Sequence, residues 1–485
     1  MPLSHSLILS LSKDARWLCR RRNVIWTALA GIIALAAIAG LAAAASPDRA
    51  EAVALVVTAS SGDGRGAFIQ PVDRLPFEER LNFLVGQAVF ERLWVAAPAS
   101  TRSADGLGPL YNARSCSGCH LRNGRGAVAA AASLVTKLSV PARTTDGGTD
   151  AEPTYGTQLQ SLGIPDQTIE GRLEIAYEPI PVTLPDGLRI ELRRPRYHLT
   201  DIGFGPLAPD AMLSPRLAPP IIGMGLLARI AEDDILVAAD PHDADGDGVS
   251  GRPHLVNIDG DHPPLLGRFG WKAAEPTLMQ QAALALSLDI GISSPLRPDG
   301  HGDCTARQTA CRRAPTGNSP QFGNVEAPET VMQALLFYLD NLGPPPRRDA
   351  DDVDVRNGEH VFASAGCAAC HQPRFVTVGD PARPWLSERE IHPYTDLLLH
   401  DMGEGLADDR PEGAADGREW RTAPLWGIGR TEAVNGHAFY LHDGRARSLI
   451  EAILWHGGEA DAARRRFVKL TSRERADLLR FLGSL

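Results

Sequence analysis

Residues 114–120 read Arg-Ser-Cys-Ser-Gly-Cys-His, and residues 366–371 return the pattern as Gly-Cys-Ala-Ala-Cys-His. Two cysteines two residues apart, with a histidine directly after the second, form the attachment site of a c-type haem. Each sulfur adds to a porphyrin vinyl group, and the histidine is placed to coordinate the iron. A thioredoxin-like CxxC needs no histidine, and a Cys-rich zinc site would have to unite two pairs far apart in the chain. Neither accounts for a histidine after both pairs. The spacing implies two covalently bound c-type haems, one on Cys116 and Cys119 and one on Cys367 and Cys370, with His120 and His371 as proximal ligands.

The flanking residues carry the fold expectation. Leu81, Leu84, Val85, Ala88 and Val89 recur at helical spacing before the first motif, and a shorter apolar turn around Val361 and Phe362 precedes the second. Near the chain end, Thr471 with Glu474 three residues later predicts a capping box opening an amphipathic helix. Helix, CxxCH, loop and closing helix describe a cytochrome c domain. Two of them predict a mainly α fold, with a β-containing insertion in the N-terminal half. The insertion falls in residues 127–202, where alternating runs such as GRLEIAYEPI read as strands and a hairpin near the first haem. The proline-rich run NLGPPPRRDADDVD breaks the helix before it and reads as an interdomain linker, with the boundary in residues 344–352. The domain expectation is an N-terminal targeting segment (1–45), a first haem domain with a long insertion (46–345) and a second haem domain (346–485).

The 485 residues suffice for two or three domains, and a net charge of −10 without any basic stripe excludes a nucleic-acid binder. Lys13, Arg16, Arg20, Arg21 and Arg22 precede an apolar run, 24–45, that closes in small residues. This reads as an export signal, and the run is also long enough to span a bilayer as an inner-membrane anchor; either delivers the rest of the chain to the periplasm. In that oxidising compartment Cys304 and Cys311 read as a disulfide closing a short loop, the alternative being surface thiols.

The second axial position decides between electron transfer and catalysis, because methionine or histidine there fills the iron whereas an open site binds peroxide. Met402, between Asp401 and Gly403, is the expected sixth ligand of the second haem, with His400 the alternative. The first haem has no equally placed partner: Met212, Met224 and His198 lie in the same half but read as core or surface. An open distal site is the expectation there.

The segments NARSCSGCHLRNGRG, LRRPRY, DADGDGVSGR, GRFGWKA, GCAACHQP, LLLHDMGEGLAD, RTAPLWGIG and YLHDGRARSLIEAILWHGGEA together resemble the bacterial di-haem oxidoreductase family. That family is itself similar to the di-haem cytochrome c peroxidases and to MauG. The resemblance implies a peroxidatic N-terminal haem paired with an electron-supplying or radical-sharing C-terminal one, with peroxide or another small oxidant as one partner and a small periplasmic electron donor as the other. The glutamine and glutamate that manage the peroxide proton in those peroxidases would correspond to Gln158 and Glu170; a carboxylate near the iron can relay that proton. Trp271 is a candidate relay between haems, the alternative being plain core, and His442 and His456 are expected to bond propionates or backbone. Asp243, Asp245 and Asp247 take the first, third and fifth positions of a calcium loop with Gly248 sixth, although His254 stands where the twelfth-position glutamate belongs. An Asp/Gly-rich turn is the other reading. The rival functions are a plain electron carrier with both irons six-coordinate and an accessory role in metal uptake.

Overall fold

Each CxxCH motif follows a helix that a later helix crosses at a glycine. Helix Arg80–Glu91 runs toward the first motif and is crossed by helix Glu329–Asn341; helix Val353–Ser364 precedes the second and is crossed by the terminal helix Ser472–Ser484. At both crossings the backbones meet where a side chain is missing. A Cβ on Gly86 would lie 2.7 Å from Tyr338 Cβ and against the Ala334 carbonyl, and a Cβ on Gly358 would lie 2.7 Å from Phe481 Cβ and against the Asp477 carbonyl. Aromatic rings then fill each crossing: Phe83 and Phe90 pack on Tyr338, with centroids 4.8 and 5.5 Å apart, and Phe362 and Tyr394 pack on Phe481 at 5.2 and 5.6 Å. The terminal helix opens with the expected capping box of Thr471 and Glu474.

The computed structural model describes residues 64–128, 134–143, 148–258 and 262–485. Asp63–Leu485 form one compact unit. The expected targeting segment, 1–45, lies outside the described residues, among which no helix is long and apolar enough to cross a membrane.

The expectation of a mainly α fold is overturned. The structure is about 30% helical and 20% strand, with many small sheets, so helices do not dominate it. The largest sheet has four strands, Leu134–Pro141 pairing with Thr149–Asp150, Gln158–Leu159 and Met212–Leu217. Beside it stands a two-stranded ribbon, Arg172–Thr183 with Arg189–Thr200, in unbroken antiparallel register over twelve pairs. Sequence alternation correctly marks this ribbon. The remaining sheets are two-stranded pairings between short segments of loops, too brief to leave a periodic signal.

The ribbon, expected near the first haem, shares a cavity wall with Asn112, just ahead of the first motif, through Arg172, Leu173, Ile175 and Tyr177, and its far end reaches the C-terminal half. Its tip Leu184 and its inward Leu192 join the apolar cluster of Phe362, Trp455 and Phe481 in the C-terminal half. Asp186 at the tip pairs with Arg475 of the terminal helix, Tyr197 Oη donates to Asp443 Oδ2 at 2.6 Å, and Arg193 donates to the carbonyls of Gly444 and Arg445. The insertion therefore straps the N-terminal half onto the C-terminal one. The expected disulfide between Cys304 and Cys311 is present, with Cα atoms 6.0 Å apart.

Candidate haem sites

Ser115 caps the turn Cys116–Cys119 by accepting from Gly118 N at 3.2 Å, and the backbone N of His120 returns to Cys116 O. The second motif repeats this, with His371 N on Cys367 O. Both imidazoles are then fixed in the same way: His120 Nδ1 lies 2.7 Å from Pro219 O, and His371 Nδ1 lies 2.9 Å from Tyr394 O. A carbonyl oxygen can only accept, so Nδ1 carries the proton and Nε2 presents its lone pair. That is the tautomer a haem iron binds. Burial lowers the proton affinity of both rings, that of His371 to about 4, which keeps them neutral at physiological pH. Each ring also has a phenylalanine from the preceding helix 6.3 Å away, Phe90 for His120 and Phe362 for His371. Burial pushes the thiols up, Cys116 to about 12 and Cys367 to about 11, so they stand protonated.

Beside the second motif is a cavity of about 320 Å³, walled by Phe362, Cys367, Cys370, His371, Met402, Leu406, Leu425, Ile453 and His456. Four arginines line it, among them Arg125 and Arg421. Both are buried, burial lowers each to about 10, and among the described residues neither forms an ion pair. They bond mainly to carbonyls, Arg125 to Leu441 O and Arg421 to Gly270 O and Thr422 O, and among the described residues Arg125 Nε has no partner. Buried cations without counter-charge are costly unless an anion is supplied. An apolar slot, two thiols, one oriented imidazole and two uncompensated guanidinium groups fit a c-type haem with its two propionates.

Trp271 lies on the wall of this cavity, its Nε1 donating to Leu217 O at 2.8 Å. It meets Trp420 and His442 edge-on, each with its centroid 6.5 Å away, and those two rings stack on each other at 3.8 Å. Met402 lines the same cavity. His400 does not offer a free nitrogen, because Nε2 lies 2.8 Å from Asp396 Oδ2 and Nδ1 2.7 Å from Glu459 Oε2. Although burial opposes its charge, the bonds to Asp396, Cys370 and Glu459 hold this imidazole well above its ordinary range, as an imidazolium rather than an iron ligand.

A family model described as "Di-haem oxidoreductase, putative peroxidase" matches residues 50–148 and 163–485. The chain belongs to this family. None of the curated proteins matches it. Among solved structures, a chain of Kuenenia stuttgartiensis hydrazine synthase is similar at 21% identity with a TM-score of 0.22, over 38% of this chain and 63% of that one, less than two thirds of its length. A likeness that slight carries no argument.

In this di-haem oxidoreductase the residues expected to handle protons near the first motif separate. Gln158 Nε2 donates to Asn112 Oδ1 at 2.8 Å and to Asp289 Oδ1 at 2.7 Å, while its Oε1 has no protein partner. Glu170 is fully buried elsewhere, accepting from Gln308 Nε2 and Gln160 N, and burial raises its carboxyl well above the usual range. Gln158 thus meets Asp289 and not Glu170. The charge of Asp289, after burial itself, acts on Cys116 and Cys119, and it reaches His120. Asp289 sits in a π-helical turn, Leu286–Ile290, a deformation frequent at functional sites. Its backbone carbonyl accepts from Asn112 N and Ala113 N, just ahead of the first motif. Sequence reading passed over it, although a lone carboxylate in the apolar run LALSLDIGI was a visible signal.

Met212 and His198 lie in strands, and Met224 opens the short helix Met224–Leu227. In the acidic loop the carboxylates that converge are Asp240, Asp243 and Asp245. Asp247 instead accepts from Val249 N, and His254 is buried, with Nδ1 on Lys272 O and Nε2 accepting from Ala414 N.

Proposed function

We propose that this di-haem oxidoreductase is a periplasmic c-type cytochrome that reduces peroxide, or another small oxidant, at the first haem with electrons entering through the second. The observation that carries the reading is the asymmetry between two otherwise matching motifs. The first has a carboxylate held by an amide, Asp289 on Gln158, while the second has a cavity whose wall offers side chains able to fill an iron's sixth position. Haem supplies one-electron redox chemistry at each iron and, at the first, an open position for an oxidant.

The rest of the reading concerns the chain's own residues. Asp289, in place of Glu170, takes a proton from the inner oxygen of hydrogen peroxide and returns it to the outer oxygen as that leaves as water. Gln158 positions the carboxylate through the 2.7 Å bond to Oδ1. Complete reduction consumes two electrons and two protons per peroxide and yields two waters. Trp271, rigidly placed by its bond to Leu217 O, is the relay residue, with Trp420 behind it in edge contact. A small periplasmic donor supplies the electrons. A calcium ion, if bound, takes Asp240, Asp243 and Asp245, with Asp240 replacing the Asp247 of the sequence reading.

Absorption and EPR spectra of the oxidised protein, before and after half-reduction and with peroxide added, test the proposal. A high-spin signal that changes with peroxide supports it. Two low-spin haems indifferent to peroxide in both states overturn it in favour of an electron carrier.

A further inference from the structure

We infer that His456 is the side chain that faces His371 across the second haem, giving that iron two histidine ligands. The inference rests on the reading above only in requiring a haem on Cys367 and Cys370.

His456 ends helix Leu449–Trp455, and its ring turns back on that helix, Nδ1 lying 2.7 Å from Ala452 O. The bond to a carbonyl places the proton on Nδ1, so Nε2 carries the lone pair. Among the described residues Nε2 has no hydrogen-bond partner, and His456 lines the cavity together with His371.

The other histidines of the cavity differ. His400 has both nitrogens engaged by carboxylates, and His442 is stacked flat on Trp420 beside Asp443. Outside the cavity, His254, also on a backbone carbonyl, spends its Nε2 on Ala414 N. The arrangement at His456 matches that of His120 and His371.

Met402 is the competing donor, and the two lie close: the Met402 carbonyl is 3.0 Å from where a Cβ on Gly457 would stand. The difference is what each side chain needs. A thioether is content in an apolar cluster, and Met402 packs against the one containing Leu406 and Trp455. Once haem fills the cavity, an imidazole nitrogen that opens onto it loses water and has no protein partner, which is costly unless the iron takes it. Iron satisfies His456; Met402 needs no such partner.

The test uses the full-length holoprotein and three variants, with haem attachment to each motif counted by peptide mass spectrometry. The oxidised wild type is expected to lack the charge-transfer band of a methionine-ligated ferric haem in magnetic circular dichroism. Met402→Leu should leave the low-spin EPR signal of the second haem unchanged. His456→Ala should abolish that signal, and added imidazole should restore it. His456→Met should introduce the missing band and raise the midpoint potential, since methionine in place of histidine favours the reduced iron. A methionine band in the wild type, or loss of the low-spin signal in Met402→Leu with retention in His456→Ala, overturns the inference and leaves the two-haem reading intact. Absence of haem on Cys367 and Cys370 overturns both. Because the wild-type spectrum already discriminates, a variant that fails to fold does not remove the test.

Discussion

Replacing Asp289 by Asn separates the chemistry of the first haem site from its architecture. The carboxylate's structural role is one side-chain bond, Gln158 Nε2 to Oδ1, because its other bonds run through the backbone carbonyl to Asn112 N and Ala113 N. Asn retains an Oδ1 acceptor, so a charge-assisted bond becomes a neutral one at a cost of about 1 kcal/mol. The proton-relay role is lost entirely. General acid–base catalysis contributes about 10²–10⁴-fold, or about 2.7–5.4 kcal/mol of transition-state stabilisation. Asp289→Asn should therefore carry both haems, unfold within about 1 kcal/mol of wild type, and consume peroxide about a hundredfold or more slowly. Stopped-flow measurement of the peroxide reaction with the half-reduced protein, alongside denaturant unfolding, reads both quantities. Unchanged peroxide turnover in a folded, fully haem-loaded variant refutes the assignment. A matching loss in Glu170→Gln, without haem loss, would return the role to the residue first expected.

Four other outcomes follow from the geometry. Trp271→Phe keeps the bulk but loses the indole, and should slow inter-haem electron transfer seen by flash photolysis with haem content unchanged; an unaltered rate removes Trp271 as relay. Asp408 accepts from fully buried Lys272 at 2.8 Å and from Ser214 and Arg216, so Asp408→Asn should destabilise the holoprotein by about 3 kcal/mol in chemical denaturation, the cost of a buried charge stripped of its partner. Gly358→Ala forces a Cβ onto the Asp477 carbonyl and 2.7 Å from Phe481, and should lower stability by about 1–3 kcal/mol while disturbing the second haem's spectrum before the first's. His400 is held above its ordinary range, and Glu459, despite burial, is lowered to about 2 by its bonds to His400 and Ser250. Their contribution is complete between about pH 4.3 and 6.5, declines as pH rises through the raised His400 pKa, and declines as pH falls toward that of Glu459; His400→Gln should flatten the unfolding midpoint against pH across both flanks.

The two CxxCH motifs were legible because each is contiguous in the chain, and the helices leading to both were legible because their apolar spacing is regular. Fold class was not. Segments such as Leu399–Asp401 pairing with Glu419–Arg421 are three residues long and too short for a two-residue period to register, and they add to the strands of the insertion. Which carboxylate acts on the first motif was hidden for another reason. Glu170 and Asp289 are both single acids near apolar runs, and only tertiary packing brings Asp289 to Gln158 and sends Glu170 to Gln308. His400 was proposed as a ligand from its place after the second motif; Asp396 was visible four residues before it, but Glu459 closes the clamp from far along the chain.

The two motifs share a scaffold down to the glycine crossing, the phenylalanine beside the imidazole and the carbonyl on Nδ1, so a difference in reactivity must come from what faces each histidine. The N-terminal half contributes Arg125 and Trp271 to the second cavity, while Ser214, Arg216 and Lys272 form a buried ionic seam with Asp408 and Glu412 of the C-terminal half. Burial alone would raise Glu412, but Arg216, Arg410 and Lys137 hold it far below the usual carboxylate range, so Glu412 stays ionised at any physiological pH. With the ribbon strapped across Asp443 and Arg475 as well, the halves cannot shift relative to each other without breaking buried ion pairs, each costly to separate. Trp271, whose indole is pinned to Leu217 O at one end of the seam, is therefore a fixed spacer rather than a moving one. Electron transfer through it should depend on ionic strength only at the docking of the external donor: raising salt should slow reduction of the protein by that donor and leave the intramolecular rate unchanged, and an intramolecular rate that falls with salt would show that the seam opens.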